Sequence, residues 1–115
     1  MATWEDVRRI CLGLPEVEES TSYRQPAFKV NGRPFVNVSR EEGAISTRAP
    51  DEEIDLLVRA RPDVYFVTPH YVGWDAVLVR LDAVEEDELA GRIEDAYAFV
   101  RAKGRVSDTS PRGDT

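Results

Sequence analysis

The stretch Phe28-Lys29-Val30-Asn31-Gly32-Arg33-Pro34-Phe35 contains the strongest fold signal in this 115-residue sequence. Two strand-like runs, residues 27–30 and 34–39, flank Asn31-Gly32. Both turn residues tolerate the positive φ angles of a two-residue type I′ turn, whose twist matches that of paired strands. The stretch therefore predicts an antiparallel β-hairpin.

Further strands are predicted on both sides of this hairpin. Residues 17–22 are β-branched and small polar residues, which indicates a first, irregular strand. Glu41-Glu42-Gly43 separates the hairpin from residues 44–48, and Gly43 suits a left-handed turn position. Residues 17–48 thus predict a meander of three or four antiparallel strands.

Three helices are predicted around the meander. Thr3 is a suitable N-cap for the first, with Asp6 three residues later in a capping-box relation. Pro50 followed by three acids is typical of the start of the second. Asp82 is expected to cap the third, with Glu85 three residues later. The predicted helices span residues 3–13, 51–60 and 84–102.

Two more strands are predicted at residues 64–67 and 75–81. The order is then helix, three or four strands, helix, two strands, helix. This order predicts an α+β fold of two layers, an antiparallel sheet with helices on one side. We expect a single domain over residues 1–103 and a flexible polar tail over 104–115.

Composition narrows the classes of function. Cys11 is the only cysteine, which excludes an intramolecular disulfide and a thiolate metal cage and fits a reducing compartment. No apolar run could cross a bilayer and the N-terminus does not resemble a signal peptide, so we expect a cytoplasmic location. The formal net charge is −7, which argues against duplex DNA binding. Residues 24–48 nevertheless contain five basic and two acidic residues.

Six short motifs follow one another at characteristic spacing. They are Leu14-Pro15-Glu16-Val17-Glu18-Glu19, the hairpin stretch 28–35, Ala49-Pro50-Asp51-Glu52-Glu53, Arg61-Pro62-Asp63-Val64, Gly73-Trp74 and Asp87-Glu88-Leu89. With them the chain resembles the MmcQ/YjbR family of small bacterial proteins over about residues 3–103. The resemblance implies the same two-layer α+β fold. The family is usually labelled DNA-binding, by likeness of its fold to a double-wing arrangement and to secretion chaperones, and it has no agreed catalytic residues to carry over.

The residues that could support catalysis all have simpler structural interpretations. His70, the only histidine, has no second histidine or cysteine to share a metal. Cys11 falls on the apolar stripe of the first helix and is expected to be buried. The acidic runs 51–53 and 85–88 lie in first helical turns, where the helix dipole alone favours acids. We therefore expect no enzyme activity, no cofactor and no metal.

The basic meander is the best candidate for a binding surface. Lys29 alternates with two apolar neighbours, so it is expected to point away from the side that they face. The candidate basic face comprises Arg24, Lys29, Arg33, Arg40, Arg48 and Arg80, and Tyr71 and Trp74 are candidate aromatic contacts. Such a face could bind phosphate, nucleic acid or an acidic peptide. The alternative is a protein-interaction or chaperone-like adaptor, with a protein partner or a second copy of the chain and no membrane role.

Overall fold

The computed structural model of the chain describes residues 1–22, 24–39, 41, 43–69, 73 and 75–104. These described residues form three helices and six strands, which follow one another in the predicted order. In chain order they are α1 (Trp4–Leu12), β1 (Val17–Ser22), β2 (Gln25–Val30), β3 (Arg33–Val38), β4 (Ala44–Arg48), α2 (Asp51–Ala60), β5 (Tyr65–Phe66), β6 (Ala76–Arg80) and α3 (Glu86–Arg101). The predicted α+β class is confirmed, with four strands in the meander.

The hairpin at the centre of the sequence forms as predicted. Asn31 and Gly32 have φ angles of 56° and 80°, the left-handed values that a type I′ turn requires. The register between β2 and β3 shifts after Phe28, which pairs with Val36, whereas the next residue of β2 pairs with Pro34. The shift leaves Phe35 as an extra residue in β3, a β-bulge.

All strand pairs of the six-stranded sheet are antiparallel, in the order β1-β2-β3-β4-β6-β5. Because β4 and β5 both pair with β6, they run parallel to each other, and α2 forms the crossover between them. The connection places α2 over the β5 and β6 end of the sheet.

The helices cover one face of the sheet. α1 packs against β1 and α3, and α3 packs across β2, β3 and β4. The core between the layers includes Val7, Cys11, Phe28, Val36, Ile45, Val77, Val79, Leu89, Ile93 and Ala96, all buried. Each large aliphatic side chain among them contributes about 1.5–3 kcal/mol relative to exposure.

The ends of the helices show one confirmed and one wrong prediction. The capping box of α1 is present, with Thr3 Oγ1 accepting from the amide of Asp6 and the Asp6 carboxylate accepting from the amide of Thr3. Asp82 does not cap α3. The amides of Ala83 and Val84 instead donate to the carbonyl of Arg80, which adds a turn before the helix, and burial of Val84 fixes that turn against the core.

Candidate functional site

Cross-strand pairing assigns each strand residue to one of two faces, because directly opposed residues point the same way. The row Phe28, Val36, Thr47 and Val77 faces the helices. The adjacent row therefore lies on the opposite face, which we call the outer face. That row consists of Ala27, Asn37, Ser46, Leu78 and Phe66.

Three of the predicted basic residues lie on the outer face. Lys29 alternates with core-facing residues of β2, as expected from the sequence, and Arg48 and Arg80 are paired with Ala76 and Ala44. We call Lys29, Arg48 and Arg80 the outer cations. The centre of the face between them is not open to solvent, since Ala27, Ser46, Leu78, Ala44 and Ala76 are all buried, and the outer cations lie at its margins.

The outer cations are spread over both ends of the face. Lys29 and Arg48 each lie one residue beyond the same core-facing row, so they stand level on strands separated only by β3. Two strand spacings put their Cα atoms about 10 Å apart. Arg80 lies four residues from Ala76 along β6, about 13 Å toward the other end. Glu18 is the cross-strand neighbour of Lys29 and is the acid on this part of the face.

The Arg80 side chain is exposed, and stacking on Phe66 fixes the orientation of its guanidinium plane. Its guanidinium carbon lies 4.1 Å from the centroid of the Phe66 ring, a cation–π contact. Stacking leaves the N–H donors at the edge of the guanidinium plane available to a ligand. The sequence reasoning did not single out Phe66, because a two-residue strand is too short to show alternation.

Arg48 is half-buried, and contacts from the helical layer hold its backbone. Nη2 of Arg92 donates to the Arg48 carbonyl at 3.0 Å, and Nη1 of Arg92 donates to Glu53 of α2. The Arg92 side chain is only 2% exposed. Nε of Arg48 is buried and has no hydrogen-bond partner within the part of the chain that the structure describes.

Arg92 was also missed from the sequence, although a signal was present. It lies three residues after Leu89 and four before Ala96, so it falls within the apolar stripe of α3. A charged residue on a buried stripe is nearly always paired. That position alone could have predicted a partner.

Arg33 does not share the outer face. It pairs with Val30, a core residue, and its Nε donates to the carbonyl of Gly104 at 3.1 Å, beyond the end of α3. The register shift at the bulge and the hairpin turn bring it to the helical side. Arg24 is exposed in the turn between β1 and β2, at the rim of the sheet. Arg40, His70, Tyr71 and Trp74 lie outside the described residues.

Apart from Arg59 of α2, the arginines of the helical layer are paired with carboxylates among the described residues. The pairs are Arg8 with Glu19, Arg9 with Asp6 and Glu86, Arg61 with Asp63 and Glu88, Arg92 with Glu53 and Arg101 with Glu16. The backbone hydrogen bond from Thr3, together with Arg9, lowers the pKa of Asp6. Among the described residues, by contrast, the outer cations form no salt bridge.

The buried nucleophilic groups are not activated. Burial raises the pKa of the Cys11 thiol to about 12, so this side chain stays protonated. Burial, then the hydrogen bond to Glu88 at 2.7 Å, raises the pKa of Tyr65. In residues 1–104, apart from the gaps named above, no group of three histidine, cysteine or acidic side chains is arranged to hold a metal ion. No helix in the same residues is long and apolar enough to cross a membrane.

These features define a class of small α+β domain with three helices over a six-stranded antiparallel sheet. The family model described as YjbR matches residues 12–99. The chain belongs to the YjbR family. It is 33% identical to the uncharacterized proteins Rv2570 of Mycobacterium tuberculosis and Mb2600 of Mycobacterium bovis, over 92% of this chain and 94% of each relative.

A solved structure has the same fold. The crystal structure of Deinococcus radiodurans protein DR2400, with the family-model domain DUF419, superimposes with a TM-score of 0.77. The match covers 94% of this chain and 85% of that chain, at 24% sequence identity. At this identity the likeness establishes the fold.

Proposed function

We propose that the chain is a non-catalytic, cytoplasmic binding domain that binds nucleic acid through its basic strand meander, at the cations on the margins of the outer face. The observation that supports the proposal is the difference between the two faces. Apart from Arg59, the arginines of the helical layer are neutralised by carboxylates, whereas the three outer cations form no salt bridge among the described residues. Unpaired cations on one face are what a phosphate backbone requires.

The net charge of −7 does not contradict this proposal, because the acids are concentrated elsewhere. α2 contains one basic and four acidic residues, and α3 contains two basic and five acidic residues. Both helices belong to the opposite layer, so the sheet separates their charge from a ligand on the outer face. Exposed charges more than about 10 Å apart are largely screened at moderate salt.

A salt titration of oligonucleotide binding tests the proposal. Fluorescence anisotropy would follow binding by wild type and by the double variant Lys29→Gln/Arg80→Gln. The matched control is Arg59→Gln/Lys103→Gln, which removes two exposed cations from the helical layer. Both variants carry a net charge of −9, since each removes two positive charges from −7.

The number of phosphate contacts is read from the slope of log affinity against log salt concentration. Three phosphate contacts predict a slope of about −2 for a single strand, and loss of two contacts predicts about −0.7. The helical-layer control should keep the wild-type slope. Binding weaker than about 10⁻⁴ M for wild type at low salt, or an equal loss in both double variants, would remove the basis of the proposal.

A second candidate is the adaptor function, which one surface feature favours. Leu56 of α2 is 66% exposed. The exposed acid Glu52 lies one helical turn before it. An exposed leucine beside acids suits a partner with an apolar and basic surface. Sedimentation of wild type and Leu56→Asp would test it, and a strict monomer together with unchanged partner recovery would argue against it.

A further inference from the structure

We infer that the free edge of β1 pairs with β1 of a second copy of the chain, so that the two sheets join across a two-fold axis at Ser20. The inference concerns association between copies and does not depend on the nucleic-acid ligand. It has three supports, which are the unpaired backbone of this edge, the distribution of charge along it and an exposed leucine beside it.

β1 is an edge strand that is open to solvent. It pairs with β2 on one side, and none of its six residues is buried. The strand at the other edge, β5, has two residues and offers few backbone groups. Exposed edges with unpaired N–H and C=O groups are templates for pairing with another chain. β1 is therefore the edge at which this sheet can be extended.

Pro26 indicates which backbone groups of β1 point to the free edge. It lies opposite Thr21 and has no N–H, so the two residues form a pair without hydrogen bonds. The N–H and C=O of Thr21 therefore point away from β2, and by alternation those of Glu19 do the same. Among the described residues these groups have no hydrogen-bond partner. A second strand can satisfy them.

The charges within β1 select the register. Edge-facing residues oppose one another only when the two-fold axis passes through a residue, and axes at Glu19 and Ser20 give the longest overlap of the strand. An axis at Glu19 places that acid opposite its own copy, and opposed like charges destabilise a pair. An axis at Ser20 pairs Glu19 with Thr21 and Glu18 with Ser22, so no two acids are opposed. The structure therefore favours the axis at Ser20.

The charges just outside β1 are complementary in this register. Glu16 and Arg24 lie four residues from Ser20 in opposite directions, so each is level with the other residue of the second copy. Arg24 is exposed, and the Glu16 side chain is 67% exposed with a long contact of 3.9 Å to Arg101. Both charges are accessible to a second copy. The two-fold axis makes this pair twice.

The acids within β1 have cations of their own chain beside them. Glu19 accepts from Nε of Arg8 at 3.1 Å, and Glu18 is the cross-strand neighbour of Lys29. Charged side chains commonly protect an edge strand from pairing. Here their charge is offset within the same chain, so it does not keep a second copy away.

An exposed leucine lies beside the same edge. Leu12 of α1 is 43% exposed and lies one helical turn after Arg8, on the same face of the helix. Arg8 contacts Glu19 of β1, so Leu12 borders the edge on the helical side of the sheet. A strand added at this edge covers apolar surface as well as pairing backbone groups.

Cysteine cross-linking tests the edge and its register together. In the dimer the two Ser20 residues form a pair without hydrogen bonds, whose Cα atoms are about 4.5 Å apart, and a disulfide can span this distance. Ser22→Cys is the matched control, because Ser22 is also half-buried on β1 but lies about 14 Å from its own copy. Cys11 is buried and does not compete. Under mild oxidation, Ser20→Cys should form a linked dimer at least about tenfold faster than Ser22→Cys.

Sedimentation equilibrium of charge variants tests the pairing of Glu16 with Arg24. Wild type should dimerise with a Kd in the micromolar range, about what a small interface supports. Arg24→Glu should weaken the dimer about tenfold, because it opposes two acids at each end of the strand pair. Arg24→Glu/Glu16→Arg should restore the wild-type Kd. Arg59→Glu, which makes the same change of charge on α2, should leave it unchanged.

Three results would overturn the inference. They are equal rates of cross-linking for the two cysteine variants, a charge-swapped double variant that dimerises no better than Arg24→Glu, and a wild-type chain that stays monomeric up to about 1 mM. Thermal unfolding of each variant verifies that it is folded. None of these measurements includes nucleic acid, so their failure is distinct from failure of the proposed function.

Discussion

Substitution of Arg92 by methionine tests the contact between the helical layer and the outer face. Arg92 is buried in α3 and donates to the Glu53 carboxylate and to the backbone carbonyl of Arg48. Methionine has a comparable length and can fill the same space, but it has no donor. The substitution therefore removes the hydrogen bonds and the charge while it keeps most of the packing.

The expected loss of stability follows from these contacts. Removing one partner of a buried ion pair costs about 3–5 kcal/mol. The Glu53 side chain is 34% exposed, so water can partly compensate its carboxylate and the loss should be at the low end. Relief of the buried Nε of Arg92, which has no partner among the described residues, also limits the loss. We expect about 3 kcal/mol, or a Tm lower by about 12 °C for a domain of this size.

Urea unfolding of Arg92→Met, Glu53→Gln and the double variant would measure this loss. Glu53→Gln should cost less, about 1 kcal/mol, because glutamine keeps an acceptor for Arg92. The double variant should cost less than the sum of the two, which would show that the side chains act together. A free energy of unfolding for Arg92→Met within about 0.5 kcal/mol of wild type would refute the assignment of Arg92 as a structural link.

Three further predictions concern the framework. In thermal unfolding, Gly91→Ala should stabilise the chain by about 0.5–1 kcal/mol, because a Cβ at this position of α3 meets no atom within 4 Å. Gly32→Ala should destabilise it by about 1–2 kcal/mol, because Gly32 has a positive φ. A Gly32→Ala variant that is more stable than Gly91→Ala would contradict both assignments. Cys11, with a pKa of about 12, should resist a maleimide at about pH 8 until the chain unfolds, and rapid labelling of the native protein would contradict its burial. Asp6→Asn should be less stable than wild type at neutral pH. Since the folded pKa of Asp6 is lowered, that difference should disappear as pH falls through the folded pKa, and a difference that persists below the folded pKa would show that the carboxylate charge is not its cause.

Features fixed by a few neighbouring residues could be predicted from the sequence. The Asn31-Gly32 turn and the capping box at Thr3 form as expected, because their geometry depends on residues within one turn. α2 spans Asp51–Ala60, the predicted range, since Pro50 sets its start and Pro62 follows its end. The strand meander could also be predicted, because its strands lie between these turns and helix ends.

Features that depend on pairing between distant residues could not be predicted. The bulge at Phe35 changes the register of β2 against β3, and nothing in the local pattern marks it. Its consequence is large, because register decides which face each residue takes. The sequence grouped Arg33 with Lys29, and the fold places them on opposite faces. The late start of α3 has a similar cause, burial of Val84.

The candidate site shows why total charge is a poor guide to ligand chemistry in a two-layer domain. Net charge counts every acid equally, but the acids that lie close to an arginine of the helical layer are neutralised there. The ligand instead experiences the charges on its own side of the sheet, which are Lys29, Arg48 and Arg80 against Glu18 among the described strand residues. A local charge of +2 on a face of a chain with net charge −7 is therefore consistent with binding of a polyanion.

The same sorting of charge also explains why stability and binding should be separable by mutation. Lys29 and Arg80 contact no buried carboxylate among the described residues, so their removal should alter affinity with little change in unfolding. Arg92 contacts no ligand in the proposed arrangement, yet it supports the backbone at Arg48. Its loss should lower stability first and affinity only through Arg48. A variant set that reversed this pattern would mean that the outer face is maintained for folding and not for a ligand.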